Sequence, residues 1–167
     1  MKMIKTLLLY IISMIPYLAS SLILFFTFTY SQSNVTSQVN SIKDTLSMSD
    51  NQLYFFMGII VLISNVLIFF FIFFVLKLIA FLFDRNRKAK DQDLFFSLLT
   101  GYTIANLAAL ILNDFFNISF ETLSYITPIL DLVTFTTLYY SFSKLKNITI
   151  VLSIVKLTII ITGIIVG

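Results

Sequence analysis

Asp131 and Lys156 are full charges set inside apolar runs, and they are the residues in this chain best placed to do chemistry. They belong to one continuous stretch, Leu123–Gly167, which reads LSYITPILDLVTFTTLYYSFSKLKNITIVLSIVKLTIIITGIIVG. Its two apolar runs are joined by the short basic hinge Ser143–Asn147. A hinge that short makes the flanking helices antiparallel neighbours. Asp131 lies 14 residues before Leu145 and Lys156 lies 11 after it. At about 1.5 Å of rise per residue their depths differ by only about 4–5 Å, within reach of a lysine side chain. Counted from their own ends, Asn65 and Asn106 reach a similar depth, so four helices each contribute one strongly polar side chain to the same layer. A lone charge at the centre of a bilayer costs roughly 2.5–3.5 kcal/mol, and a mutual pair offsets much of that. Three kinds of chemistry stay open for such a layer. It can be a buried ion pair that fixes how two helices meet, a path for an ion or proton, or a site for a polar head group.

Other chemistry is excluded by residue type. The chain has no cysteine and no histidine, which removes disulfides, thiol redox and Cys/His metal sites. It has no G-x-S-x-G motif and no paired acids. No enzymatic activity, cofactor, metal or nucleic-acid partner is expected. Hydrophobic residues make up 59% of the chain and charged ones only 11%, with a mean hydropathy of +1.00. A soluble domain carries about 25% charged residues. So much apolar surface cannot be hidden inside 167 residues, and lipid must cover it. The 19 phenylalanines, the many isoleucines and the absence of tryptophan suit a bacterium with AT-rich codons.

The elements that must hold the polar layer follow from the apolar runs. The expected fold is all-α: a single polytopic integral membrane domain over 1–167, with transmembrane helices at about 4–30, 53–83, 94–113, 123–143 and 148–166. The first run is too long for the apolar region of a signal peptide and lacks a small-residue cleavage site, so it is read as a helix, kinked at Pro16. Within the polar stretch 31–52, Val35, Val39, Ile42 and Leu46 share one helical face. Residues 34–48 are therefore expected to form an external amphipathic segment, lying on the bilayer or docking a partner. Ser47 or Ser49 can cap the next helix. That second run is longer than the bilayer, and Lys77 within it is expected to reach the interface. The third helix carries a small-residue stripe, Ser97, Gly101, Ala105 and Ala109, that lets another backbone approach. On the fourth, Ser124, Thr127, Asp131 and Thr134 share a face, and Pro128 frees the Ser124 carbonyl. On the fifth, Thr149, Ser153, Lys156 and Gly163 do the same, with Gly163 and Gly167 as a small-residue end.

Orientation follows from the basic residues. With the N-terminus inside, the inner segments hold Lys2, Lys5, Arg85, Arg87, Lys88, Lys90, Lys144 and Lys146, against Lys43 alone outside. This bias places the C-terminus outside and makes Arg85, Arg87, Lys88 and Lys90 a cytoplasmic basic cluster. The same cluster could serve an anionic lipid or an acidic partner.

From Leu53 to Gly167 the chain resembles the bacterial branch of the YIP-domain family, relatives of Ypt/Rab-interacting membrane proteins. The likeness lies in an aromatic-rich helix ending in LKLIAFLF (Leu76–Phe83), a short basic loop, FFSLLTGY (Phe95–Tyr102), and YYSFSKLKNITI (Tyr139–Ile150) leading into the last helix. The chain departs from the family around Thr103–Asn106, where a proline is common, and lacks the D-L-Y-G-P motif, so GTPase binding does not carry over. The resemblance implies a five-helix, non-enzymatic accessory or assembly factor for other membrane machinery, including ABC-type exporters. The expected function is thus a scaffold subunit in a bacterial cell membrane, partnered by another integral membrane protein or by its own copies. The alternative is a small oligomeric transporter or channel built around the polar layer.

Overall fold

The computed structural model describes residues 2–31, 47–84 and 87–166, together with Val39, Ser41 and Lys43. Five helices account for most of it: α1 Lys2–Ser31, α2 Asp50–Phe83, α3 Asp91–Phe116, α4 Phe120–Ser143 and α5 Lys146–Val166. Every boundary lies within three residues of the expected one. Helices α2, α3 and α4 start three residues before the apolar pattern because polar residues occupy their first turns. Ser49 accepts from the Gln52 backbone while the Gln52 side chain accepts from the Ser49 N–H, a capping box that starts α2. Asp50 in that turn, and Asp91 and Asp93 in the first turn of α3, lie at the positive end of a helix dipole. Ser119 caps α4 by accepting from Thr122 N. Asn117 and Lys144 end α3 and α4 in the left-handed conformation, with φ of 52° and 57°. Asparagine tolerates that conformation well, which allows the turn into α4 to be only three residues long, Asn117–Ser119.

α1 continues through Pro16, which is exposed. Of the expected amphipathic segment 34–48, Val39, Ser41 and Lys43 are helical, and Val39 is buried. Val35, Ile42 and Leu46 lie outside the described residues. Lys43 pairs with Asp50 at 2.7 Å and so ties this segment to the start of α2. Lys77 sits beside the polar turn after α2, with its ammonium 2.6 Å from Asp91 of α3.

Four helices are long and apolar enough to cross a membrane, over Leu8–Ser31, Asp50–Phe83, Asp91–Phe116 and Lys146–Ile165. Only 17% of the most apolar part of α2 is buried within the bundle, and Leu67, Phe71 and Phe74 point outward from it. Such an exterior needs lipid around it. At 34 residues α2 is about 51 Å long against roughly 30 Å of hydrocarbon. α4 is long enough to cross, at 24 residues, but its hydroxyl-bearing residues and Asp131 make it less apolar than the others.

α3 lies at the centre. Its widest contact is with α4, and it also packs on α1 and α2; α5 touches α4 and α2. The core is concentrated at the end of the bundle that carries the 84–90 turn and the Lys144–Leu145 hinge. There Phe69, Phe73 and Leu76 of α2 meet Phe95 and Leu98 of α3, Phe135 and Tyr139 of α4, and Leu152 of α5. Phe95 packs edge-on against Phe69, Phe73 and Tyr10, with ring centroids 4.6–5.7 Å apart.

Candidate functional site

Gly101 sets the position of the buried acid. A Cβ on Gly101 would lie 2.7 Å from Asp131 Oδ1 and 3.4 Å from the Asp131 carbonyl oxygen. The missing side chain is what lets α4 lie against α3 and lets the carboxylate rest on the α3 backbone. The rest of the stripe serves the same face: Ser97, Ala105 and Ala109 are all buried. Ser97 satisfies its hydroxyl within its own helix, on the Asp93 carbonyl.

Lys156 reaches across from α5 and donates to Asp131 Oδ1 at 2.7 Å. The two side chains are 2% and 6% exposed. The ammonium also lies 4.4 Å from the ring centroid of Phe135 and 4.8 Å from that of Tyr102. It is therefore held by one carboxylate and two aromatic faces, and cation–π attraction is strongest where the cation is dry. Desolvation is the main cost of such a pair. Here both charges are neutralised within a single contact.

Asn65 and Asn106 stand at the same level but use different partners. Tyr17 Oη on α1 lies 3.2 Å from Asn65 Oδ1 on α2, and Asn65 Nδ2 donates to the Val61 carbonyl at 2.8 Å. Asn106 Nδ2 on α3 donates to Ser20 Oγ on α1 at 3.3 Å. Elsewhere in the α4–α5 contact, Thr136 and Ser153 share a part-buried hydrogen bond of 2.7 Å. The layer is thus a set of separate ties: α1–α2, α1–α3 and, twice, α4–α5. All four expected residues, Asn65, Asn106, Asp131 and Lys156, line one cleft of about 700 Å³, together with Tyr17, Tyr102 and Pro128. Ser124 and Thr127 also line it, but their hydroxyls bond to the carbonyls of Glu121 and Leu123 in their own helix. Gly163 lines the cleft without packing on anything: a Cβ there would meet no atom within 4 Å.

The basic cluster is a separate feature. Arg87, Lys88 and Lys90 are exposed on the 84–90 turn, and Arg85 lies outside the described residues. Asp84 is buried in that turn and accepts from Ala89 N, while Arg87 sits 5.8 Å from the Phe81 ring centroid. Among the described residues no group of three or more acids could hold a metal ion.

The reading of the sequence missed Tyr17, Ser20, Tyr102 and Phe135. Tyr102 precedes Asn106 by four residues and Phe135 follows Asp131 by four, so each shares a helical face with a residue already singled out. That spacing was a usable signal. Tyr17 and Ser20 offered none, because an aromatic and a serine in a long apolar helix are ordinary.

No family model, curated protein or solved structure matches the chain.

Proposed function

We propose that the chain is a non-enzymatic integral membrane subunit that assists the assembly or activity of a larger membrane complex. One observation carries this reading: the buried charges are consumed by each other and by aromatic faces, with Lys156 Nζ 2.7 Å from Asp131 Oδ1 and both side chains nearly inaccessible. A group held this way serves to orient helices. The resemblance of residues 53–167 to the bacterial YIP-domain branch points the same way, and an ABC-type exporter in a bacterial cell membrane is the partner it suggests. α4 is proposed as a fifth span. Its 24 residues reach about 36 Å, and its polar side chains Ser124, Thr127 and Asp131 turn into the cleft instead of toward lipid. The placement of basic residues supports an inside N-terminus and an outside C-terminus. A cysteine at Lys88 should then label only from inside and one at Asp114 only from outside; the reverse pattern overturns the orientation.

The deciding experiment is a double-mutant cycle. Asp131→Asn and Lys156→Met should each destabilise the protein by about 3–5 kcal/mol, because each strands the other group. Combined, they should recover most of the stability and restore assembly of the partner complex. A second reading, a small oligomeric transporter, is favoured by the cleft that all four polar residues share. A double mutant that melts like the wild type but supports no function would replace the accessory reading with the transporter one.

A further inference from the structure

The 700 Å³ cleft does not end at the polar layer. A neighbouring hollow of about 530 Å³ shares Asn65, Ile68, Asn106, Ser124, Thr127 and Pro128 with it, so the two are lobes of one groove. The groove runs between α2 and α4, which make at most sparse contact with each other. It extends to Phe28 and Phe120, at the end of the bundle opposite the 84–90 turn. Its inner end is polar, and that polarity is incompletely satisfied. Asn106 Oδ1, Tyr102 Oη and the second carboxylate oxygen of Asp131 have no hydrogen-bond partner among the described residues. Its walls are branched and apolar: Ile68 and Ile72 on one side, Ile159, Ile160 and Ile164 on the other.

We propose that this groove binds a neutral, hydroxyl-bearing amphiphile of the bilayer. Its head group lies at the polar layer and its acyl chain against the isoleucines. Three arguments select that class. Polar atoms at hydrocarbon depth are costly without partners, and an acyl chain supplies none. A head group with two hydroxyls can donate to Asp131 and Asn106 and accept from Tyr102. Net charge is disfavoured, because Asp131 and Lys156 already cancel; an ionic head would bring a further unpaired charge, at roughly 2.5–3.5 kcal/mol. Shape argues against a partner helix. At about 10–12 Å across and 5.4 Å of pitch, a single helical turn would fill most of the inner lobe, and its backbone bonds are already satisfied. Each lobe by itself falls in the roughly 300–1,000 Å³ range of small-molecule sites. The groove is open beside Gly163, where an added Cβ would meet no atom within 4 Å. The inference goes beyond the accessory role and needs no partner complex to be tested.

The test uses the full-length protein in phosphatidylcholine vesicles. The probe is a monoacylglycerol carrying a diazirine in its acyl chain, and adducts are mapped by mass spectrometry. Adducts should concentrate on residues 68–72 and 159–164 and be competed away by unlabelled monoacylglycerol. Asn106→Leu should lower saturable labelling about fivefold to tenfold through the lost hydrogen bond. Gly163→Phe, which projects a ring into open space, should abolish it while leaving the melting temperature unchanged. Three results would overturn the proposal. One is adducts spread evenly over the outer surface without competition. Another is equal saturable labelling by a diazirine-bearing phosphatidylglycerol. The last is disulfide-linked dimers of Ile160→Cys, which would make the groove an interface between copies. Should Gly163→Phe fail to fold, Asn106→Leu together with the competition curve decides the question alone.

Discussion

The half of the bundle that carries the 84–90 turn and the half that carries the groove are built from the same five helices but packed in opposite ways. In the first, rings from α1, α2 and α3 interlock: Phe95 meets Tyr10, Phe69 and Phe73 edge-on, Phe69 stacks on Phe73, and Phe69, Leu76, Phe135, Tyr139 and Leu152 are fully buried. In the second, the helices are joined by small residues and single hydrogen bonds, and the last described turn of α5 is exposed. Between membrane helices there is no hydrophobic drive, since lipid is as apolar as the interior. What holds them is close packing and polar contact. The aromatic half uses the first and the groove half uses the second, which leaves space there that no residue of the chain fills. The Asp131–Lys156 pair sits at the boundary, with Phe135 on its tight side and the groove on the other.

The contrast can be broken where it is sharpest. Gly101→Leu should yield no folded, monodisperse protein, because its side chain has to occupy the place of the Asp131 carboxylate; Leu99→Ile should be tolerated. Normal gel filtration of Gly101→Leu would mean the α3–α4 contact is not as described. Next in size is Phe69→Ala. It should cost near the low end of the roughly 3–5 kcal/mol seen in soluble cores, since lipid removes the transfer part of the loss. A thermal melt that does not move would contradict the tight half. Tyr139→Phe has the opposite sign. The Tyr139 hydroxyl is buried without a partner among the described residues, so removing it should raise stability by about 1 kcal/mol, read as an upward shift in melting temperature. The smallest effect belongs to the groove: Gly163→Ala should change stability by less than about 0.5 kcal/mol, and a large loss there would show that the open half is packed after all.

Much of the fold is legible in the sequence. Helix positions followed from apolar runs, because a span in lipid has to satisfy its own backbone and few other patterns allow that. The first-turn residues Asp50–Gln52 and Asp91–Asp93 are polar, and apolar periodicity does not register them. Of the site, Asp131 and Lys156 could be paired from the hinge length alone, and the Ser97–Ala109 stripe could be read as a packing face. In the sequence that stripe and the acid are separate features. Only the structure joins them, at Gly101.

The sequence by itself determined composition, helix placement, the position of each polar residue along its helix and the exclusion of histidine and cysteine chemistry. These depend on rise per residue and residue type, which are local. Tertiary structure decided rotation and partnership. Depth says that Asn65, Asn106, Asp131 and Lys156 lie at one level, but not that Asn65 turns to Tyr17, that Asn106 turns to Ser20, or that two rings enclose the Lys156 ammonium. Those choices depend on how five helices rotate against one another, and the helix–helix contacts that set the rotation are absent from any one helix taken alone.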